Sequence, residues 1–167
     1  EIMPSLVGSE MCIRDSSYQV ETEGTVIAYT SVYGNTKKAV ELLAEKLKEE
    51  GCPKVVVTDL ARDDMAEAVE DAFKYSKIVL AASSYDGGVF PPMEELLCHL
   101  KAKAFQNRKI GIIENGSWAP SAARTIKAAL ESMKNISVCE NTVTVKSAFK
   151  ESDVPALEAL AQEIVND

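Results

Sequence analysis

Histidine is nearly absent from this sequence, and several marks of common protein classes are missing altogether. With His99 as the single histidine, a histidine-rich metal site is excluded within the chain, and no metal is expected. No apolar run is long enough to span a bilayer, and the first residues lack the basic and then apolar pattern of a signal peptide. These absences predict a soluble, cytoplasmic protein.

An excess of positive charge is also missing. The chain has 18 Lys and Arg against 26 Asp and Glu, which gives a net charge of −8 at pH 7. Nucleic acids and anionic membranes are bound through basic patches, so neither is expected as a partner. The negative charge is compatible with docking onto a basic protein surface, and equally with a role in solubility alone.

Paired cysteines are the third absence. The four cysteines are far apart in the sequence and form no CxxC pair: Cys12, Cys52, Cys98 and Cys139. In a domain of this size they predict free thiols in a reducing compartment rather than a disulfide framework. We interpret Cys98 as a small packing residue and the neighbouring His99 as a surface residue of a helix.

The length of 167 residues suits one domain, and the regular part of the chain begins near residue 24. Residues 1–23 show neither helical nor strand periodicity, and we interpret them as a segment outside the domain. The stretch 4–16 resembles a translated sequencing adapter, so a sequence artefact is one explanation and a linker from an upstream domain is the other. We expect a single domain over residues 24–167.

From residue 25 onward, apolar runs of strand length alternate with stretches of helical period. The runs cover residues 25–30, 54–58, 77–82, 109–113 and 137–145. Helical spacing of apolar residues follows each run, near residues 40–47, 65–74, 93–100, 120–133 and 157–164. This alternation predicts a three-layer α/β fold, with a five-stranded parallel sheet covered on both faces, in one of the two common doubly wound strand orders.

The loop after the first strand, here called the phosphate loop, concentrates hydroxyl groups, an amide and a glycine at the start of a helix. It consists of Thr30, Ser31, Val32, Tyr33, Gly34, Asn35 and Thr36. Backbone N–H groups and the positive end of a helix dipole favour a phosphate at such a position, and Gly34 allows the backbone to approach a ligand closely. The alternative is an ordinary helix start with Asn35 or Thr36 as its N-cap.

The residues argue against three other kinds of phosphate site. The sequence has no G-x-x-x-x-G-K-S/T motif of a nucleotide-hydrolysing P-loop and no G-x-G-x-x-G of a Rossmann NAD site. The phosphate loop also holds no cysteine nucleophile. Because it lacks Lys and Arg as well, it suits one tightly bound monophosphate better than a reactive triphosphate.

Two further loops follow predicted strands and belong to the same edge of the sheet. The second loop (residues 83–91) contains Ser84, Tyr85, Asp86, Gly87 and Gly88, and the third loop (residues 114–120) contains Asn115, Gly116, Ser117 and Trp118. Adjacent glycines permit positive φ angles, Tyr85 and Phe90 offer stacking surface, and the single tryptophan is a candidate for stacking on a flat ring. An ordinary half-buried tryptophan is the alternative. The three loops together suit flavin mononucleotide (FMN).

These motifs resemble those of the flavodoxin family, whose phosphate loop has the pattern Ser/Thr-x-Thr-Gly-Asn-Thr. Tyr33 stands here in place of the usual threonine. Over residues 24–167 the chain looks most like the C-terminal flavodoxin domain of flavodiiron proteins, or A-type flavoproteins, in which an aromatic residue often precedes the glycine of this loop. The second loop resembles the Thr-Tyr-Asn-Gly-Gly-x-Phe-Pro-Pro-Met-Glu stretch of that group, with Asp86 in place of asparagine, and residues 113–120 are the most specific match.

The resemblance implies the strand order 2-1-3-4-5 and non-covalently bound FMN that passes electrons. It assigns the phosphate to the phosphate loop, one edge of the isoalloxazine ring to the second loop, and the other side of the ring to the third loop. The carbonyl of a peptide next to Gly87, on the side of Asp86 or of Gly88, is expected to reorient and accept the N5–H of the flavin semiquinone. Asp86 is a hypothetical tuner of the reduction potential, since a carboxylate opposes an anionic flavin. A solvated turn aspartate is the alternative.

The resemblance also implies a function. The leading interpretation is the electron-transfer module of a flavodiiron protein, with a rubredoxin-like donor and a diiron site that reduces oxygen or NO. That site requires histidines of a preceding domain, so no catalytic residue is assigned here. Full-length flavodiiron proteins often form head-to-tail homodimers. The alternatives are a free-standing short-chain flavodoxin, an NAD(P)H-dependent flavin reductase, and a domain that kept this fold but lost the cofactor.

Overall fold

Strands and helices alternate along the chain, as the apolar periodicity predicts. In the computed structural model, which describes residues 20–166, the strands are β1 (Thr22–Tyr29), β2 (Val55–Asp59), β3 (Tyr75–Tyr85), β4 (Gly88–Val89), β5 (Gln106–Asn115), β6 (Lys134–Val138) and β7 (Val143–Val145). The helices are α1 (Asn35–Glu49), α2 (Met65–Lys74), α3 (Pro91–Ala102), α4 (Ala122–Glu131) and α5 (Val154–Val165). Most of the segment expected to lie outside the domain, residues 1–19, falls outside the described residues, and from Thr22 onward the chain already belongs to β1.

The five long strands are parallel and lie in the spatial order β2-β1-β3-β5-β6. Numbered among themselves, they have the order 2-1-3-4-5, so the predicted fold is confirmed. The chain runs from β1 to β2 on one side and then returns to β3 on the other side of β1. The strand order therefore reverses between β1 and β3, and ligands of open α/β sheets bind in the crevice at such a switch point.

Side chains of each strand alternate between two cores, because successive residues point to opposite faces of a sheet. In β1, Val26 and Ala28 pack with residues of α2, α3 and α4, whereas Ile27 and Tyr29 pack with residues of α1 and α5. The central strands are buried on both faces, which explains why residues 78–82 of β3 and 110–113 of β5 are apolar without alternation. Together the two helical layers hold the carboxyl ends of the strands, and the loops that follow them, in fixed positions.

The last predicted strand, over residues 137–145, is divided in two. β6 and β7 both pair with β5, and residues 140–142 leave the ladder between them. The carboxylate of Glu163 in α5 accepts hydrogen bonds from the backbone N–H groups of Glu140 (2.6 Å) and Asn141 (3.0 Å). These N–H groups are bound by the helix rather than by the sheet, so one continuous strand does not form.

β4 is a two-residue strand that the apolar pattern does not predict. Two residue pairs join it to the end of β3 in an antiparallel hairpin. The two connecting residues, Asp86 and Gly87, have φ angles of 48° and 73°. A two-residue hairpin loop with two positive φ angles fits a type I′ turn, for which Asp-Gly is a favoured pair. The second loop is therefore a tight hairpin rather than an irregular excursion.

Candidate functional site

A cleft of about 340 Å³ lies at the carboxyl edge of the sheet, where the loops after β1, β3, β5 and β7 meet. Its lining residues are Ser31, Val32, Tyr33, Asn35, Thr36, Ser83, Ser84, Tyr85, Phe90, Asn115, Gly116, Ser117 and Ser147. The volume is within the range of small-molecule sites, about 300–1,000 Å³. None of the lining side chains carries a charge at neutral pH, so polar contacts in the cleft come from hydroxyl groups, amides and the backbone.

Most of the predicted site residues come together in this cleft, and each of the three predicted loops contributes some of them. The predicted residues that do not line it are Thr30, Gly34, Asp86, Gly87, Gly88 and Trp118. Thr30 is fully buried, whereas Asp86, Gly87 and Trp118 are exposed. Each of the three loops therefore contributes to the cleft wall, while Thr30 and Gly34 of the phosphate loop and the most exposed residues of the other two lie outside it.

Ser83 and Ser147 line the cleft and are absent from the predicted set. Ser147 follows β7, and the Nδ2 of Asn115 donates a hydrogen bond to its carbonyl oxygen at 3.0 Å. Because the carboxyl ends of all parallel strands meet at one edge, the rule that identified the other loops also applies to the loop after the last strand. The sequence thus contained a usable indication of this fourth wall.

The phosphate loop enters α1 through Gly34. Gly34 is the N-cap residue, with φ 86° and ψ −5°, a left-handed conformation that favours glycine. Its backbone N–H donates a hydrogen bond to Ser31 Oγ at 2.9 Å, and Thr36 Oγ1 lies 3.3 Å from Ser83 Oγ across the switch point. The alternative in which Asn35 or Thr36 is the N-cap is therefore wrong.

The start of α1 has no side-chain cap, in contrast to the start of α2. Asp64 precedes α2, and its Oδ1 accepts a hydrogen bond from the N–H of Ala66 at 2.8 Å. Gly34 has no side chain that could do the same, and the first turn of α1 contains no acidic residue. The first-turn N–H groups, at the positive end of the helix dipole, are left without a local carboxylate. This is the arrangement that binds phosphate groups at helix starts.

Thr30 directly follows β1 and is the first residue of the phosphate loop. Its backbone N–H donates to the carbonyl oxygen of Ala81 at 2.9 Å. Its Oγ1 is buried and has no hydrogen-bond partner within residues 20–166. Buried hydroxyl groups nearly always have a partner, so the base of this loop carries a polar group that the described chain does not satisfy. A polar ligand above the loop fits this observation better than an apolar one.

Ser84 and Glu114 fix the start of α4 beside the cleft. Ser84 Oγ accepts hydrogen bonds from the N–H groups of Ser121 (2.8 Å) and Ala122 (3.2 Å). The buried Glu114 carboxylate accepts one from the N–H of Ala123 at 2.9 Å. The second and third loops are therefore anchored to the same helix, which holds them at a fixed separation.

Gly116 allows the third loop to approach the second loop. A Cβ atom at this position would lie 3.0 Å from the Cα of Pro120 and 3.0 Å from Ser84 Oγ, which is tighter than most such contacts. Glycine is thus favoured here by a close contact and not by a positive φ angle.

Three aromatic side chains line the cleft, those of Tyr33, Tyr85 and Phe90, and Trp118 follows the lining residue Ser117. Tyr33 is 90% exposed and Trp118 is 97% exposed. Tyr85 is 54% exposed and packs edge to face against Phe90, with ring centroids 5.6 Å apart. Because Trp118 is almost fully exposed, the alternative of an ordinary half-buried tryptophan is wrong. Tyr33 and Tyr85 therefore present exposed aromatic surface in the wall of the cleft.

Near the cleft, the pKa of one side chain is raised above its ordinary value. Tyr29, at the end of β1, donates a hydrogen bond from its hydroxyl to Asp59 Oδ2 at 3.3 Å. Burial, together with the negative charge of Asp59, raises the pKa of Tyr29 to about 12.

Over residues 20–166, no group of three or more His, Cys, Asp or Glu side chains is arranged to hold a metal ion. In the same range no helix is long and apolar enough to cross a membrane. His99 is half-exposed beside Glu95, as expected for a surface residue.

Known families provide an independent comparison. The family model described as a flavodoxin domain matches residues 26–148, which is most of the chain. The chain belongs to the flavodoxin domain family. Rubredoxin-oxygen oxidoreductase of Megalodesulfovibrio gigas is 24% identical to this flavodoxin domain over 148 residues, which cover 87% of this chain and 36% of that protein. The chain thus spans about a third of the length of the curated relatives that it matches.

Solved structures agree with the family assignment. The rubredoxin oxygen:oxidoreductase of Desulfovibrio gigas superposes with a TM-score of 0.83 at 22% identity, covering 90% of this chain and 37% of that one. The Flv1 flavodiiron core of Synechocystis superposes with a TM-score of 0.76 at 16% identity, covering 98% and 40%. A flavodoxin from the domain Archaea gives 0.72 at 18% identity, covering 86% of this chain and 96% of that one. The predicted resemblance to flavodoxins and to flavodiiron proteins is confirmed.

Proposed function

We propose that this flavodoxin domain binds FMN in the cleft and serves as an electron carrier. The main support is that a helix start without a carboxylate and a rim of exposed aromatic side chains meet in one cleft at the switch point of the sheet. In this proposal the phosphate is bound by the phosphate loop, through Ser31, Asn35 and Thr36. The ring lies between the second and third loops, near Tyr85 and Trp118. Bound FMN would supply one- and two-electron redox chemistry, while the residues of the chain bind and orient it.

The polar groups of the cleft fit this ligand. The phosphate loop offers hydroxyl groups, an amide and backbone N–H groups, and it contains no charged side chain. The positive end of the α1 dipole favours a dianion there. The buried, unpartnered Oγ1 of Thr30 supports a polar ligand at the base of the same loop.

We further propose that the domain is the electron-transfer module of a flavodiiron protein. The sequence similarity to rubredoxin-oxygen oxidoreductase over 148 residues supports this placement, since the match covers only 36% of that longer protein. In this proposal electrons come from a rubredoxin-like protein and leave to a diiron domain outside the chain. A homodimer of the full-length parent would bring the flavin of one subunit near the iron site of the other.

A free-standing flavodoxin is the second candidate. The observation that favours it is the archaeal flavodoxin, of which the match covers 96%. Both candidates carry electrons and share the cleft. The gene that encodes the chain separates them, because a flavodiiron parent requires an upstream domain with histidine and carboxylate iron ligands.

An anaerobic reduction experiment tests the carrier function. The full chain is loaded with FMN and mixed with reduced rubredoxin in one experiment and with NADPH or NADH in another, while the flavin absorbance is followed. We expect fast reduction of the bound flavin by rubredoxin and no reduction by either nicotinamide nucleotide. Direct reduction of the bound flavin by NADPH or NADH, with loss of one equivalent of the nucleotide per flavin, would contradict the carrier function and favour a flavin reductase.

A second experiment tests the phosphate loop. Ser31→Ala removes a hydroxyl group that lines the cleft and accepts the N–H of Gly34. Loss of one hydrogen bond to a charged group corresponds to about 1.5–3 kcal/mol, so we expect FMN affinity to fall by a factor of about 10–150. Riboflavin, which lacks the phosphate, is the control ligand, and its affinity should not change. An equal loss for both ligands would place the phosphate elsewhere.

A further inference from the structure

Ser121 occupies the N-cap position of α4 but does not cap the helix. Serine is favoured at N-caps because its hydroxyl accepts a hydrogen bond from an N–H of the first turn. Here the side chain of Ser121 forms no such bond. The first-turn N–H groups are bound instead by Ser84 from β3 and Glu114 from β5. The hydroxyl of Ser121 is thereby available for another contact.

That contact is with the hairpin of the second loop. Ser121 Oγ donates a hydrogen bond to the carbonyl oxygen of Gly88 at 2.6 Å, and Ser121 is only 4% exposed. β4 is joined to β3 by two residue pairs, followed by one backbone hydrogen bond from the N–H of Phe90 to the carbonyl oxygen of Ser83 at 3.0 Å, and so short a hairpin has little stability of its own. The bond to Gly88 therefore ties β4 to α4 at the residue that directly follows the hairpin tip, Asp86 and Gly87.

We propose that Ser121 is a positioning residue that fixes the hairpin against the flavin and thereby favours reduced FMN over oxidised FMN. This inference rests on the proposed function, because it requires the ring to lie beside the second loop. Reduced flavin carries a hydrogen on N5 and oxidised flavin does not. With the hairpin held beside the ring, a peptide at its tip that turns its carbonyl oxygen towards N5 can accept a hydrogen bond from the reduced form only. Releasing the hairpin weakens the binding of reduced FMN more than that of oxidised FMN.

The test compares three variants of the full chain. Ser121→Ala removes the hydroxyl, and Ser121→Thr retains it. Ser132→Ala is the matched control, because Ser132 is an exposed serine at the other end of α4 whose hydroxyl bonds only to Ala129 O within the described chain. Two quantities are measured: the amide hydrogen exchange of residues 86–89 in the FMN-free protein, and the dissociation constants of oxidised and fully reduced FMN.

For Ser121→Ala we expect exchange in the hairpin to become about three- to tenfold faster, the factor that corresponds to one hydrogen bond. We expect the ratio of the two dissociation constants to change by a similar factor, against reduced FMN. Ser121→Thr and Ser132→Ala should leave both quantities unchanged.

Two results would overturn the role of Ser121: unchanged exchange in Ser121→Ala, or an equal loss of affinity for both oxidation states, which would make the bond merely structural. If the wild-type chain binds no FMN, the proposed function fails first and this role fails with it. If the wild type binds FMN and the alanine variant behaves identically, only the role of Ser121 is wrong.

Discussion

Arg108 allows the stability of the fold to be separated from the function of the cleft. It lies near the start of β5 and is 2% exposed. Its guanidinium group donates hydrogen bonds to four backbone carbonyl oxygens, those of Phe73 (2.7 Å), Tyr75 (3.0 Å), Gln106 (2.8 Å) and Asn107 (3.3 Å). It thus joins the end of α2, the start of β3 and the start of β5. We predict that Arg108→Met destabilises the fold strongly and leaves the cleft intact.

The size of the effect follows from the carbonyl groups that the substitution leaves behind. Three of the four hydrogen bonds are buried, and each unsatisfied buried group costs about 1–3 kcal/mol, hence about 3–9 kcal/mol in all. Part of this is offset, because burial disfavours the charged guanidinium and lowers the pKa of Arg108. We therefore expect a loss of about 3–5 kcal/mol, as when one partner of a buried charged contact is removed. At about 2–4 °C per kcal/mol, Tm should fall by about 6–20 °C.

Urea and thermal unfolding measure this loss, and Arg124→Met is the matched control. Arg124 is exposed on α4, so the same substitution there should change stability by less than about 0.5 kcal/mol. FMN affinity at low temperature should be unchanged in both variants, since Arg108 and Asn115 lie at opposite ends of β5, about 23 Å apart at 3.3 Å per residue. The reasoning is refuted if the two variants unfold within about 1 kcal/mol of each other, or if Arg108→Met weakens FMN binding.

Three other substitutions probe the site and its surroundings. Gly34→Ala should lower the free energy of unfolding by about 1–2 kcal/mol, because Gly34 has a left-handed backbone conformation, and it should also weaken FMN binding. Gly51 has a similar φ and also has no near neighbour, so Gly51→Ala should cost the same stability without changing FMN affinity. Urea unfolding and FMN titration measure the two effects. Asp86→Asn keeps a residue that tolerates the φ of 48° and should raise the reduction potentials of bound FMN, so unchanged potentials would exclude Asp86 as a tuner. The pKa of Tyr29 is about 12 in the folded protein against an ordinary value of 10. Its contribution to stability is therefore fully present below pH 10 and is lost as the pH rises towards 12. Urea unfolding across this range should show that the free energy of unfolding falls less in Tyr29→Phe than in the wild type.

Most of the architecture could be predicted because it depends on local apolar spacing. The helical spacing near residues 65–74 coincides with α2, and the apolar positions expected in α1, such as Leu43 and Leu47, are fully buried. The division of the last strand could not be found in this way. It depends on Glu163, which binds N–H groups more than twenty residues earlier in the chain. Such a contact leaves no trace in the periodicity of the strand itself.

The loops of the site were predictable for a similar reason, and their details were not. Each loop follows a strand, so its position at the carboxyl edge follows from the parallel sheet. The alternative N-cap of α1 was wrong for a physical reason. Side-chain preference favours Asn35 or Thr36 at an N-cap, whereas the backbone turn requires the positive φ of Gly34. The hydrogen bond from Ser121 to Gly88 joins residues 33 positions apart, and Ser121 alone reads as an ordinary N-cap.

The central claim is that the cleft binds FMN, and one titration tests it most directly. The full chain, freed of flavin, is titrated with FMN while the fluorescence of Trp118, the single tryptophan, is followed. The account predicts saturable binding of one FMN per chain with strong quenching, because the ring is expected beside the third loop, where Trp118 follows the lining residue Ser117. A titration that shows no saturable binding of FMN would contradict it.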